Sequence, residues 1–112
     1  MTCLFCRIVA GEIPADVVLE TPDSVAFRDI NPQAPVHVLV IPRAHHPDVG
    51  TLATADPELA GRLLRDVAAV AAAEGVGGGY RLVFNTGAEA GQSVFHVHGH
   101  VLGGRGMVWP PG

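Results

Sequence analysis

The sequence predicts an α+β domain with a five-stranded antiparallel sheet, one main helix and a short N-terminal helix. Five short runs are rich in β-branched and aromatic residues, and mostly short links join them. One longer segment repeats apolar residues at helical spacing. With 112 residues and 48% hydrophobic content, the chain can bury one core, so we expect a single domain over residues 1–112.

The N-terminal part predicts a short helix and two strands. The helix is expected near CLFCRIVAG, residues 3–11. DVVLE (16–20) and SVAFRD (24–29) are short β-rich runs, separated by the Pro-Asp turn signal TPD. INPQAP (30–35) is then a rigid connection, because its two prolines cannot donate to a sheet ladder.

VHVLVIP, residues 36–42, predicts a central strand. Alternation places His37, Leu39 and Ile41 on one face and the three valines on the other. Both faces are apolar enough to be covered, and Pro42 ends the strand.

The main helix is predicted over residues 57–74. Asp56 is an expected N-cap, and Pro57 takes the first helical position, where its missing N–H costs nothing. Gly75 closes the C-terminus. The apolar face consists of Leu59, Leu63, Val67 and Val70.

YRLVFN (80–85) and VFHVHGHVL (94–102) predict the last two strands. Alternate strand residues share a face, so His96, His98 and His100 are expected to point the same way over about 13 Å. That span is too long for all three to bind one metal ion, although two neighbours could share one. A solvated strand face would usually carry Thr, Lys or Glu instead, so the histidines indicate a site.

The loop NTGAEAGQS, upstream of the histidines, carries Asn85, Gly87, Gly91 and Ser93. Many glycine-rich loops are only turns, but their amides can also form an anion cradle. Beside these histidines the combination favours phosphate chemistry: an imidazole attacks phosphorus, a hydroxyl passes a proton and amides hold the oxygens. We therefore expect phosphoryl or nucleotidyl transfer through a covalent histidine intermediate.

Charge and hydropathy exclude several classes of partner. The net charge is −4, with 7 Arg, no Lys and 11 acids, which offers no footprint for long nucleic acids. No apolar run approaches the roughly 20 residues of a membrane span. The N-terminus MTCLFCRIV lacks the pattern of a secretory signal, so the expected compartment is the cytoplasm, with no membrane association.

Cys3 and Cys6 are the only cysteines. A disulfide between them would be a poor staple in a reducing cytosol, and a thioredoxin-type pair should follow a strand. Half of a zinc site is the favoured interpretation and needs two further ligands. The alternative is a pair of small buried thiols.

The sequence HVHGHVL resembles the signature of the histidine triad (HIT) superfamily. GEIPADVVLE, AFRDINPQAPVHVLVIPRAH, GYRLVFNTG and GQSVFHVHGHVLGGRGMVWPPG are similar, in order and spacing, to its HINT branch of purine nucleoside phosphoramidases. The likeness covers nearly the whole chain and implies one HIT domain over 1–112 with the HIT-like fold. It also implies a homodimer that hydrolyses purine nucleoside 5′-phosphoramidates through a nucleotidyl-histidine.

The resemblance assigns catalytic roles to five residues. His98 matches the family nucleophile, and Ser93 matches the group that delivers a proton to the leaving amine. His37, His96 and His100 match the histidines that orient the nucleophile and contact the phosphate.

The resemblance also implies a set of nucleotide contacts. Asn85 and Gly91 match phosphate contacts, Asp29 the ribose carboxylate, and Trp109 a tail residue that reaches the partner subunit's site. Each apolar position fits a core role equally well, and Asp29 could simply form a turn. The full set is Ile13, Phe27, Asp29, Ile30, Asn31, Leu39, Asn85, Gly91, Gln92, Ser93, Val94, His98, His100 and Trp109.

For the cysteines, the resemblance implies a closed structural zinc site of Cys3, Cys6, His45 and His96, with His46 as a possible substitute. On that pattern His96 supports His98 and is not a free base, and the chemistry itself requires no cofactor.

Two positions depart from the family pattern. Gly99 replaces an apolar residue, which either leaves a void or lets another group approach. Asn31 stands where Ser is common and keeps a polar contact available to the ribose.

Two other functions stay open. One is a nucleotide-binding or scaffold protein whose hydrolysis is incidental. The other is a zinc-dependent hydrolase that uses an H-x-H pair with an open metal position.

Overall fold

A computed structural model of the protein describes residues 3–112, which contain three α-helices and five strands. In chain order they are α1 (Leu4–Val9), β1 (Val17–Glu20), β2 (Ser24–Arg28), β3 (Val36–Pro42), α2 (Val49–Ala55), α3 (Pro57–Ala73), β4 (Tyr80–Val83) and β5 (Gly99–Gly103). The predicted α+β class is confirmed. None of the helices within residues 3–112 is long and apolar enough to cross a bilayer.

The five strands form one sheet in the order β1-β2-β3-β5-β4, and all neighbours are antiparallel. Strand β3 is central, as its apolar character on both faces predicts. Its register places Leu39 between Phe27 of β2 and His100 of β5. These three residues therefore lie side by side across the sheet and share one face.

The two faces of the sheet bury different cores, as the alternation in β3 predicts. Val38 and Val40 belong to the core that contains the apolar residues of α3. Leu39 and Ile41 belong to the core that contains Phe5 of α1. Helix α3 thus covers one face, and α1 covers part of the face that carries His100.

Helix α3 is capped as predicted. The Asp56 side chain accepts a hydrogen bond from the Leu59 N–H at 3.0 Å, and Pro57 is the first helical residue. The helix ends at Ala73, one residue earlier than predicted, and Gly75 has a φ of 78° that favours glycine.

Helix α2 was not predicted. Its N-cap is Asp48, whose side chain accepts a hydrogen bond from the Thr51 N–H at 2.8 Å. The segment VGTLATA is only seven residues long and contains two threonines and a glycine, which are weak helix formers. Its helical signal is therefore weak.

Both C-terminal strands are shorter than predicted. Strand β4 ends at Val83, and β5 begins at Gly99 instead of residue 94. Pairing with β3 stops at Gly99, and upstream of it the Val97 N–H donates to the His46 carbonyl at 2.7 Å. The expectation that the three histidines share one face of a strand is therefore wrong.

Position 99 requires glycine because neighbouring side chains leave no room for a Cβ atom. A Cβ at this position would lie 2.9 Å from Cζ of Phe84 and 3.0 Å from Cδ1 of Leu82. Of the two alternatives for Gly99, the structure supports close approach of a large residue, since the Phe84 ring takes the space of a side chain at position 99.

We expect Gly99→Leu to lower the free energy of unfolding by about 1–3 kcal/mol, because the new side chain overlaps the Phe84 ring. Phe84→Ala alone should also be destabilising, since it opens a cavity. In the double variant the leucine fills that cavity, so the combined loss should be smaller than the sum by about 1 kcal/mol or more in chemical denaturation.

Gly61→Leu is the matched control, because a Cβ at Gly61 of α3 meets nothing within 4 Å. It should not lower the stability, since leucine forms helix better than glycine. Strictly additive losses for Gly99→Leu and Phe84→Ala would contradict the packing account.

Candidate active site

A pocket of about 610 Å³ lies between α1, the sheet and the segment that precedes β5. Eight of the predicted nucleotide-site residues line it: Phe27, Asp29, Ile30, Leu39, Ser93, Val94, His98 and His100. Phe27 and Leu39 are buried, whereas the Ile30 side chain is fully exposed at the rim. The structure therefore brings the core of the predicted site together.

Six predicted residues do not line this pocket: Ile13, Asn31, Asn85, Gly91, Gln92 and Trp109. The Trp109 side chain is 82% exposed. Its proposed contact with a partner subunit stays a prediction, as do the nucleotide contacts of the other five.

Helix α1 contributes pocket residues that the sequence analysis missed, namely Leu4, Phe5 and Ile8. The Phe5 ring is buried and makes edge-to-face contacts with the rings of Phe27 and His98, whose centroids are 5.4 and 5.0 Å away. The i, i+1, i+4 spacing of these residues was the available signal, because it gives the short helix one apolar side. Pro14, Ala15, Asp16 and Arg28 also line the pocket and were not predicted.

The orientation of His98 is fixed by its own backbone neighbour. Its Nδ1 lies 2.8 Å from the His96 carbonyl oxygen, and a carbonyl can only accept. Nδ1 therefore carries the proton, and Nε2 of the neutral ring keeps its lone pair. The side chain is 8% exposed and lines the pocket, so Nε2 is the nitrogen left for a bound molecule.

A hydrogen-bonded chain fixes His37 and His100 in turn. The Gln33 N–H donates to Nδ1 of His37 at 3.0 Å, so the neutral ring carries its proton on Nε2. That nitrogen lies 2.9 Å from Nδ1 of His100 and donates to it. His100 therefore carries its own proton on Nε2.

These assignments place a ring nitrogen with a lone pair in the same pocket as an N–H donor. The rings of His98 and His100 have centroids 4.9 Å apart, and both line the pocket. His98 offers a lone pair, while His100 offers an N–H. A phosphate between them could be attacked by the first and held by the second.

Burial keeps the supporting histidines neutral. It lowers the pKa of His100 to about 4, and the nearby His98 and His37 rings act in the same direction. Burial also lowers the pKa of His37, against an opposing effect of the Asp29 carboxylate. Neither ring carries a charge at neutral pH, so the proton positions above apply there.

Asp29 forms the predicted turn and also lines the pocket. Its Oδ1 accepts a hydrogen bond from the Asn31 N–H at 2.8 Å, as a turn-forming residue would. Its Oδ2 lies 3.5 Å from Nε2 of His37, and the residue lines the pocket. Forming the turn does not remove the carboxylate from the site.

The loop before the histidines is held by Gln92. Gly87 and Gly91 have φ values of 85° and 93° and flank a short 3₁₀ turn, Ala88–Ala90. The buried Gln92 amide accepts from the Gly87 N–H at 2.8 Å and donates to the Pro47 carbonyl at 2.7 Å. Gln92 therefore braces the loop against the chain that follows β3.

The prediction that this loop is a cradle of free amides needs correction. The Gly91 N–H donates to the Ala88 carbonyl at 3.0 Å, and the Gln92 N–H donates to the Gly87 carbonyl at 3.1 Å. With the Gly87 N–H bound to Gln92, these three amides are committed inside the loop. Ser93 is the exposed loop residue that reaches the pocket.

His96 points to a different cluster. The donor atoms of Cys3, Cys6, His45 and His96 all lie within 4.8 Å of one another. The Nε2–H of His96 donates to the Pro42 carbonyl at 2.8 Å, so the Nδ1 lone pair faces the thiols. His96 is fully buried and does not line the pocket.

The cluster has the dimensions of a tetrahedral zinc site. Sulfur–nitrogen distances are 3.5 Å for Cys3–His96, 3.4 Å for Cys6–His45 and 3.5 Å for Cys6–His96, and the two Nδ1 atoms are 3.2 Å apart. Ordinary zinc bond lengths give tetrahedral edges of about 3.6 Å between sulfur and nitrogen and about 3.3 Å between nitrogens. The donor set therefore fits a four-coordinate zinc ion.

Comparison with known proteins identifies the class. The antiparallel sheet with its helices and histidine-lined pocket has the HIT fold. A HIT family hydrolase from Legionella pneumophila superposes on it with a TM-score of 0.94 at 51% identity, over 99% of this chain and 100% of that one. A histidine triad nucleotide-binding protein from Candida albicans superposes with a TM-score of 0.84 at 31% identity, over 97% and 83%.

Sequence comparison identifies the family. Residues 10–107 match the HIT domain family model. An uncharacterized HIT-like protein from Synechocystis is 50% identical over 109 residues, which cover 97% of this chain and 96% of that protein. The chain belongs to the HIT domain family.

We expect the folded protein to lose stability as the pH falls from about 6.5 to about 4. His100 resists protonation in the folded state, whereas the unfolded chain takes up that proton near its ordinary pKa, so acid favours unfolding. A histidine NMR titration should give His100 a midpoint near 4 in the folded protein and the ordinary value in urea. An ordinary midpoint in the folded protein would contradict the assignment.

Proposed function

We propose that the protein hydrolyses purine nucleoside 5′-phosphoramidates to a nucleoside monophosphate and an amine. The observation that carries the proposal is the hydrogen bond from Nδ1 of His98 to the His96 carbonyl, which leaves Nε2 free in a pocket that also contains His100 and Ser93. The similarity to a HIT family hydrolase and to a histidine triad nucleotide-binding protein supports this choice of substrate.

The pocket offers a suitable surface for each part of a nucleotide. At about 610 Å³ with mostly apolar walls, it falls in the range of small-molecule sites. Phe27 and Leu39 lie beside His100 in the sheet, so a base over them places its phosphate toward the histidines. The carboxylate of Asp29 is then available to the ribose hydroxyls.

In the proposed first step, Nε2 of His98 attacks phosphorus and the P–N bond to the amine breaks. The Ser93 hydroxyl supplies the proton that the leaving nitrogen needs, and the N–H of His100 stabilises charge on a phosphate oxygen. The His96 carbonyl binds the Nδ1–H of His98 more strongly as that ring becomes cationic.

In the second step, water attacks the nucleotidyl group and the bond from phosphorus to Nε2 breaks. One proton of the water stays on the new phosphate oxygen, and the other restores the Ser93 hydroxyl. This releases the nucleoside monophosphate and restores neutral His98 with its lone pair. One water is consumed for each amine released, and the reaction needs no metal or redox cofactor.

We also propose that Cys3, Cys6, His45 and His96 bind a structural zinc ion. Burial and the neighbouring Cys3 thiol raise the pKa of Cys6, so zinc must displace a proton from this thiol. A zinc ion would tie α1 to the segment that carries His98. The site has four protein ligands and leaves no open position for a hydrolytic water, which argues against a zinc-dependent hydrolase.

The quaternary structure and the compartment are proposed as well. We propose a cytoplasmic homodimer in which the exposed Trp109 reaches the partner subunit's pocket. The alternative function, a nucleotide-binding or scaffold protein with incidental hydrolysis, requires the same pocket but no covalent step.

We expect adenosine 5′-phosphoramidate to be converted to AMP and ammonia, and His98→Ala to reduce kcat at least about 1,000-fold because the nucleophile is lost. Release of AMP measured by chromatography tests both statements. His46→Ala is the matched control, since His46 lies outside both the pocket and the cysteine cluster. Tight AMP binding without turnover would support the scaffold alternative, and full activity in His98→Ala would contradict the mechanism.

We expect the purified protein to contain one zinc ion per chain, and Cys6→Ser to lose it. Loss of the ion should reduce the free energy of unfolding by about 2 kcal/mol or more, because zinc binds the folded state preferentially. Elemental analysis and denaturation measure the two effects, with His46→Ala again as the control. Zinc retained at full occupancy in Cys6→Ser would exclude this ligand set.

A further inference from the structure

A second cavity of about 380 Å³ adjoins the pocket. It is lined by Cys3, Leu4, His45, Ser93, Val94 and Phe95. Three of these residues, Leu4, Ser93 and Val94, also line the first pocket. The two cavities therefore meet at Ser93.

The proposed reaction places the leaving amine at this border. A proton can pass from the Ser93 hydroxyl only if the leaving nitrogen lies within about 3 Å of it. The first pocket is then occupied by the nucleoside and phosphate. A substituent on the nitrogen therefore starts at Ser93, and the second cavity is the adjoining space that can receive it.

The lining of the second cavity indicates which substituents fit. Leu4, Val94 and Phe95 are apolar, and no Asp, Glu, Arg or Lys is present among its residues. Nδ1 of His45 faces Cys6 at 3.4 Å and so belongs to the metal cluster. An uncharged apolar group is the chemistry that this surface can recognise.

Phe95 is the largest apolar residue that lines this cavity. Its side chain is 52% exposed, although Gln92 and His96 nearby in sequence are buried at 3% and 0%. A large aromatic ring exposed beside a reactive site can stack against a flat ligand group, which would cover it on binding.

We propose that the second cavity is a subsite for the leaving group, and that it favours amines with an aromatic substituent. This inference rests on the proposed function. The bonds made and broken stay the same: the P–N bond breaks, and the amine leaves with one added proton. Phe95 determines specificity and takes no part in the chemistry.

The test compares two AMP amidates, one of propylamine and one of 2-phenylethylamine. The nitrogen is a primary alkylamine in both, so the subsite is the main difference between them. The measured quantity is the ratio of kcat/KM for the phenylethyl substrate to kcat/KM for the propyl substrate. We expect this ratio to be about 10 or more, the usual size of discrimination in an apolar pocket.

Phe95→Ala should reduce the ratio to about 1, whereas Phe95→Tyr should retain it because the aromatic face is kept. Val17→Ala is the control: Val17 is a half-exposed apolar residue on the edge strand β1 that lines neither cavity, and its loss should leave the ratio unchanged.

Each outcome decides a separate question. Hydrolysis of both substrates with a ratio near 1, or a ratio that Phe95→Ala does not change, would overturn the subsite and leave the phosphoramidase function standing. Failure to hydrolyse either substrate would overturn the function, and the subsite with it.

Discussion

The site depends on one hydrogen bond, from Nδ1 of His98 to the carbonyl oxygen of His96 at 2.8 Å. It holds the ring of His98 in place and decides which of its two nitrogens is free. Because His98 is only 8% exposed, water cannot easily replace this bond. His96 and His98 lie upstream of β5, so this bond forms in the segment that has already left the strand.

His96 links the pocket to the cysteine–histidine cluster, because its backbone carbonyl contacts one and its ring contacts the other. Its backbone carbonyl binds Nδ1 of His98, while its side chain donates to the Pro42 carbonyl and faces the cysteines. Phe5, between the two cysteines in α1, packs against His98 from the other direction. The cysteine–histidine cluster thus connects the helix that lines the pocket to the residue whose carbonyl binds His98.

Much of the fold could be predicted from sequence because its signals are local. The alternation in β3, with both faces buried, and the caps of α3 depend on neighbouring residues. The extent of β5 does not, since it is set by the contact of Val97 with the distant His46 carbonyl. The same holds for Gly99, whose missing side chain is explained only by the position of Phe84.

In the candidate site, too, some features could be predicted from the sequence and others depend on contacts between distant residues. Eight of the pocket residues and the four of the cluster were found through family resemblance, since no spacing rule brings Cys3 or His45 to His96. The loop amides were assigned wrongly, because glycine content does not show that Gln92 and the loop's own carbonyls already bind them. Proton positions on the histidines depend on partners such as the Gln33 N–H, which only the folded structure provides.

We propose that the backbone of His96 makes Nε2 of His98 the nucleophile. The most direct measurement is to trap the nucleotidyl adduct by rapid acid-free quenching and to locate it by peptide mass spectrometry and by proton–phosphorus NMR correlation through the ring. We expect a single adduct on His98, bonded through Nε2. An adduct on another histidine, or one bonded through Nδ1 of His98, would contradict it.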